Sequence, residues 1–301
     1  MIVREAPSSL RLFFVIQGSV IPRIMSRIIG VTLLSLAVLL IDHHVVRLPH
    51  ISIAAMGVFG VALSLFLGFR NNAAYDRWWE ARKLLGSMIA DVRSLGRQTS
   101  VFVGKGEDRD FIMTHAVAFV HLHRGFLRGV DVRSDIVGWV GEAQADALIS
   151  RRNAADAALN AIANRFHDLG KSGSLTTLGQ VAMTETLAAL GLAQAGCERI
   201  KTTPLPFVYS LLVRRTTYFY CFIMPFALID ATGWFAPLLA AVVAYVFFGL
   251  QAVTNELELP FHNLHNGLPL DAICRVIEVS VSEALDRPAP EALLPENHVL
   301  T

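Results

Sequence analysis

The side chains of this chain that could carry acid–base or metal chemistry are mainly histidines. His262 and His265 are separated by two residues, a spacing that suits two ligands of one metal ion, but no third ligand lies nearby in the sequence. The other candidates are His115, His121 and His123. None of them has a cysteine or carboxylate at ligand spacing. Core or solvated histidines explain this pattern better than a metal site.

The sequence also lacks the motifs of common catalytic sites. Cys197, Cys221 and Cys274 are widely spaced and form no C-x-x-C pair, so neither a zinc site nor a disulfide framework is predicted. There is no glycine-rich phosphate loop and no G-x-S-x-G motif. We therefore expect a protein that is not an enzyme, with no bound metal.

A stripe of apolar side chains is the feature that favours transport. Val61, Leu65 and Phe69 are spaced four residues apart, so they stack on one face of a helix. The stripe could pack against other helices, or it could form apolar rings if several copies surround an axis. In the second case Asn71 and Asn72 mark where the narrow passage reopens into water. Gly57, Gly60 and Gly68 would allow close helix approach.

The composition places this stripe in a membrane. The 301 residues are 53% hydrophobic and only 17% charged, with a mean hydropathy of +0.49, whereas soluble domains contain about 25% charged residues. A formal net charge of +1 without a basic run argues against a nucleic-acid partner. Four segments are candidate membrane spans: residues 28–41, 51–69, 216–229 and 235–253.

Arginine placement predicts the orientation of these spans. Arginines precede the first and third spans and follow the second, while the two turns between paired spans contain only Arg47. We therefore expect a multi-pass membrane protein with both termini in the cytoplasm. No removable signal peptide is expected at the start. A short interfacial helix is predicted at residues 10–16.

The segments outside the four candidate spans are predicted to form helices with one buried face. Spacings of three and four between apolar residues dominate, and sustained two-residue alternation is absent, so the chain is predicted to be all-α. The predicted domains are an N-terminal interfacial helix with the first two spans, a cytoplasmic helical domain, the last two spans, and a C-terminal cytoplasmic helix with a tail: residues 1–69, 70–213, 214–258 and 259–301.

Four motifs resemble those of one known family. The segment 67–82, Leu-Gly-Phe-Arg-Asn-Asn-Ala-Ala-Tyr-Asp-Arg-Trp-Trp-Glu-Ala-Arg, resembles the signature of the bestrophin family in its bacterial branch. Residues 200–210 are similar to the family's entry into the third span, and residues 230–234 to its outer turn. The segment 256–261, Glu-Leu-Glu-Leu-Pro-Phe, resembles its exit from the fourth span.

The resemblance implies an ion channel of five identical subunits around one axial pore. In the family, three apolar residues of the second membrane helix line the neck, and Val61, Leu65 and Phe69 occupy those positions. A second, cytoplasmic aperture is also implied, for which we choose Leu178 and Val181. The bacterial branch favours monovalent cations, while chloride or other anions, as in the eukaryotic branch, stay possible.

One departure bears on cofactors. Vertebrate members follow the Pro-Phe pair with an acidic cluster that binds calcium, but residues 262–271 contain one carboxylate, Asp271. Calcium prefers six to eight oxygen ligands, so we expect no cofactor. The sequence thus predicts a homopentameric channel for small monovalent ions. The alternatives are a membrane scaffold or transporter subunit that does not conduct, and a membrane enzyme with metal at His262 and His265.

Overall fold

The computed structural model describes residues 1–3 and 18–301. In that part the regular elements are helices, and strand-like pairing is limited to the isolated bridges Ile2–Val299 and Glu296–Val299. The all-α prediction is confirmed there, and the predicted interfacial helix at 10–16 lies outside the described residues. The α-helices are α1 Ile21–His44, α2 Ile53–Phe102, α3 Glu107–Arg128, α4 Arg133–Val140, α5 Glu142–Ile149, α6 Ala154–Lys171, α7 Thr177–Thr202, α8 Phe207–Thr232, α9 Ala236–Leu257 and α10 Leu270–Ala284, with a 3-10 turn at Gly233–Phe235.

The chain divides into two compact units. One contains Met1–Val3, Trp79–Thr203 and Pro260–Thr301, and the described part of the other contains residues 18–78 and Pro204–Leu259. We call these the helical unit and the membrane unit. The sequence prediction placed its boundaries at the ends of the apolar spans, after residues 69 and 213. That division stays a prediction, and both positions lie inside helices, since α2 continues beyond residue 69 and α8 begins before Arg214.

Three stretches are long and apolar enough to cross a bilayer: Ile21–His44, Ile53–Phe102 and Phe207–Leu257. The last comprises α8 and α9, which the 3-10 turn separates. The ring of Tyr220 lies 5.1 Å from that of Phe247, and the ring of Tyr218 lies 5.0 Å from that of Phe248. Because both pairs are symmetric about the turn, α8 and α9 pack side by side as an antiparallel hairpin.

The core of the membrane unit is formed by α1, α2, α8 and α9. Its buried residues include Ile24, Leu63, Leu67 and Phe248. Gly60 of α2 leaves space for Tyr220 of α8, since a Cβ atom there would be 2.6 Å from the Tyr220 hydroxyl oxygen. Of the three glycines predicted to allow close approach, Gly60 does so within the chain, whereas Cβ atoms at Gly57 and Gly68 would meet nothing within 4 Å.

The core of the helical unit surrounds α3. Phe119, Ala116 and Ile112 are completely buried on this helix, and His115, His121 and His123 are buried with them. Burial, followed by the nearby charge of Lys201, lowers the pKa of His123 to about 3. A neutral imidazole at physiological pH fits the interpretation of His123 as a core histidine.

Candidate functional site

The apolar stripe on α2 is exposed in the single chain. Val61 is 70% exposed, Leu65 58% and Phe69 57%. The alternative that the stripe packs against the other helices of the same chain therefore does not describe this structure. These side chains are left for lipid or for another protein surface to cover.

The face of α2 that packs lies on the other side of the helix. Leu63 and Leu67 are 2% and 1% exposed, and Arg70 and Ala74 continue the buried row. An α-helix turns by about 100° per residue, so this row and the stripe are on nearly opposite faces. Both faces are apolar in sequence, but only one of them is used within the chain.

The exposed face changes from apolar to polar along the helix. Asn72 and Asp76 follow Phe69 on the same face and are exposed. Asn71 is placed differently: it is half-buried, and its side-chain oxygen accepts a hydrogen bond from the Thr254 hydroxyl at 3.4 Å. The structure thus separates the two asparagines, with Asn72 on the face of the stripe and Asn71 between α2 and α9.

Buried charges hold the end of this apolar region, and sequence reasoning missed them. Arg70 is 1% exposed, and its Nη2 donates to Glu258 Oε1 at 2.6 Å and to Asn255 Oδ1 at 3.0 Å. Arg77 Nε donates to the Glu258 carbonyl oxygen at 3.0 Å. A buried charge is tolerated when it is paired and hydrogen-bonded, so these contacts fix α2 against the end of α9.

A second ion pair ties α1 to the same end of α9. Arg23 Nη1 donates to Glu256 Oε1, and Glu256 is 5% exposed. The available signal in the sequence was the position of these charges: Arg23, Arg70, Glu256 and Glu258 all flank apolar segments. Their pairing was not predictable, because the partners are far apart in the chain.

At the other end of the membrane helices, a histidine bridges two aspartates. His50 Nε2 lies 2.9 Å from Asp42 Oδ1, and its Nδ1 lies 2.7 Å from Asp230 Oδ1. An imidazole can donate at both nitrogens only when it is protonated. The hydrogen bond with Asp42, aided by the negative charge of Asp230, raises the pKa of His50 above its ordinary value. The group therefore links the turn after α1 to the end of α8 most strongly at low pH.

The residues chosen for the second aperture lie on the first turns of α7. Leu178 is 80% exposed and Val181 53%. The start of the helix is capped by Thr176, whose hydroxyl accepts a hydrogen bond from Gly179 N at 3.2 Å. These two apolar side chains are uncovered within the helical unit.

The remaining candidates do not assemble into a reactive centre. His262 and His265 are exposed, and no group of three or more metal-ligating side chains is present among the described residues. Asp271, the single carboxylate among residues 262–271 after the Pro-Phe pair, forms salt bridges with Arg124, at 2.8 Å, and with Arg128. This carboxylate is therefore already neutralised by two guanidinium groups.

These features define a helical membrane protein whose apolar stripe is unpacked within one chain. Residues 1–283 match the model of the family described as bacterial/fungal bestrophin protein. The chain belongs to this family, as the resemblance of its motifs predicted.

Curated relatives and solved structures agree with the family. A voltage-dependent anion channel-forming protein of Mesorhizobium japonicum is 43% identical over 296 residues, which cover 98% of this chain and 95% of the relative. A protein of the same name from Escherichia coli K12 is 33% identical and is matched over 99% of both chains. The crystal structure of a bacterial bestrophin homologue from Klebsiella pneumoniae superposes with a TM-score of 0.82 at 29% identity, covering 88% of this chain and 99% of that one.

Proposed function

We propose that this protein is the subunit of a homopentameric channel for small monovalent ions, with its neck at Val61, Leu65 and Phe69. The observation that carries the proposal is the exposure of these three side chains on a helix whose opposite face is packed. Heterologous interfaces between identical subunits can close into a ring, in which the same residues of every subunit face one central axis. Family membership supports the same conclusion.

The chemistry of the stripe suits a neck that gates by dewetting. Water is unstable in a narrow apolar tube, so a small change in radius switches conduction. The exposed polar side chains of Asn72 and Asp76 on the same face would line the wider, hydrated vestibule below it. Leu178 and Val181 are proposed for the second aperture because they are exposed apolar residues on one short stretch of α7.

The proposed topology has four spans, with both termini in the cytoplasm of a bacterial inner membrane. α1 has 24 residues, α8 26 and α9 22, which at about 1.5 Å per residue exceed the roughly 30 Å of a bilayer core. The hairpin of α8 and α9 supports counting them as two spans. The arginines that flank the apolar segments support the orientation.

The sign of the conducted ion is open to direct measurement. Relatives are named as anion channel-forming proteins, whereas the resemblance to the bacterial branch favours cations. The stripe contains no charged side chain, so the neck has no charged ring that would select the sign of the ion.

Two measurements on the purified full chain test the proposal. Native mass determination in detergent is expected to give five times the mass of one chain, and planar bilayers are expected to show currents. Reversal potentials in asymmetric sodium or potassium chloride then give the ion sign. A monomeric mass together with no ion flux from liposomes would instead favour the alternative of a non-conducting scaffold or transporter subunit.

A further inference from the structure

A cationic cavity of about 450 Å³ lies within the helical unit, between α2, α3 and α10. Its lining includes three arginines, Arg93, Arg97 and Arg109, and two serines, Ser100 and Ser280. Glu283 is the single acidic residue of that lining. The cavity is therefore net positive and contains several hydrogen-bond donors.

Two of the arginines have no carboxylate partner in the part of the chain that is described. Arg93 Nε donates to Ser280 Oγ at 3.1 Å, and Arg97 Nη2 donates to Ser94 Oγ at 3.0 Å. The two residues are four apart on α2, where like charges are neighbours and repel each other. An anion between them would remove this repulsion.

The third arginine is buried with an unused donor. Arg109 is 7% exposed, and its Nη2 donates to the Ala284 carbonyl oxygen. Its Nε has no hydrogen-bond partner among the described residues, and a buried polar group without a partner costs free energy. Asp286 lies near Arg109, but its carboxylate already binds Lys105 Nζ at 2.7 Å, and this contact, with a smaller effect of the Arg109 charge, lowers the pKa of Asp286.

The rest of the lining is apolar. Val92, Met113 and Val281 border the cavity. Gly96 keeps it compact, since a Cβ atom there would lie 3.3 Å from Met113 Cε and 3.7 Å from Ala284 Cβ. Because these apolar side chains are almost completely buried, a ligand would mainly meet the arginine and serine side chains. The volume is within the roughly 300–1,000 Å³ of small-molecule sites.

We propose that this cavity binds an organic phosphate, with the phosphate group on Arg93, Arg97 and Arg109 and the organic part in the remaining volume of the cavity. Guanidinium groups bind phosphate oxygens through paired, charge-assisted hydrogen bonds. Nucleoside phosphates and free inorganic phosphate share this chemistry. The volume of about 450 Å³, far more than a single phosphate group fills, favours nucleoside phosphates.

Titration calorimetry on the purified full chain in detergent tests the site, with ATP and inorganic phosphate as separate probes. We expect saturable ATP binding, and weaker binding of inorganic phosphate. Arg93→Gln and Arg97→Gln should each raise the Kd for ATP roughly tenfold or more, because each removes a charge-assisted contact. Both side chains are exposed, so the variants should unfold at the same temperature as the wild type.

Lys83→Gln is the matched control, because Lys83 is an exposed cation of the same helix outside the cavity. It should leave the Kd unchanged. The proposal is overturned if neither probe binds the wild type saturably, or if Lys83→Gln weakens binding as much as the arginine variants do. Equal affinity for inorganic phosphate and ATP would overturn the proposal that the ligand is an organic phosphate and would identify free phosphate as the ligand. None of these measurements depends on ion conduction, so they succeed or fail separately from the channel proposal.

Discussion

Two leucines on opposite faces of α2 give a sharp test of the neck. Leu65 is 58% exposed and Leu67 is 1% exposed, although they are the same residue type two positions apart. Leu65→Ala would shorten a side chain at the proposed constriction in every subunit. Leu67→Ala would make the same chemical change inside the core of the membrane unit.

The two substitutions should affect stability and conduction in opposite ways: Leu67→Ala should mainly lower stability, and Leu65→Ala should mainly change conduction. Truncating a fully buried leucine to alanine costs about 2–5 kcal/mol, so Leu67→Ala should clearly lower the unfolding temperature in detergent. Leu65 has more than half of its surface exposed in the chain, so its truncation should cost about 1 kcal/mol or less in the free energy of unfolding of one subunit. Its effect on conduction should be large, because a barrier lower by about 1.4 kcal/mol raises ion flux about tenfold.

Single-channel recording in planar bilayers, paired with thermal unfolding in detergent, measures both quantities. We expect Leu65→Ala to raise the conductance several-fold or more, and Leu67→Ala to leave the single-channel conductance near that of the wild type. The reasoning fails if Leu65→Ala leaves the currents unchanged, or if Leu67→Ala raises them equally.

Three further results are expected from the structure. Glu258→Gln would leave the Arg70 guanidinium buried without its counter-ion, which should destabilise the chain by about 3–5 kcal/mol, and an unchanged unfolding temperature in detergent would contradict this. The pKa of His50 is raised in the folded protein. The stabilisation from its contacts with Asp42 and Asp230 is therefore fully present below pH 6.5, the ordinary pKa of histidine, and is lost as pH rises through the folded pKa. The stabilisation of wild type over His50→Gln should therefore shrink as pH rises above 6.5, and a difference that grows with pH would refute the assignment. Burial raises the pKa of the Cys274 thiol to about 12, so iodoacetamide at pH 8 should label it only after unfolding, as peptide mass analysis can show.

The sequence was sufficient for the helical class, the apolar segments and the family. Each of these depends on local properties: composition decides which segments can enter a bilayer, and a spacing of three to four residues identifies a helix. The stripe at Val61, Leu65 and Phe69 was found in the same way. The alternative, that the stripe packs against other helices, was equally consistent with the sequence, because periodicity shows that residues share a face but does not show what covers that face.

Only the tertiary structure decided which face of α2 is packed. Leu63 and Leu67 are as apolar as Val61 and Leu65, and a membrane helix that is apolar all round gives no sign of its packed side. The choice depends on contacts with helices distant in sequence, as when Tyr220 of α8 approaches Gly60.

The charged contacts follow the same rule. Arg70 finds Glu258, His50 lies between Asp42 and Asp230, and Arg109 joins the arginines of α2. Ion pairs and cavities are created where separate helices meet, so their members show no fixed spacing along the chain. The local sequence pattern therefore determines where the helices lie along the chain and which residues share a face. Packing between helices determines which of those side chains are buried, paired or exposed.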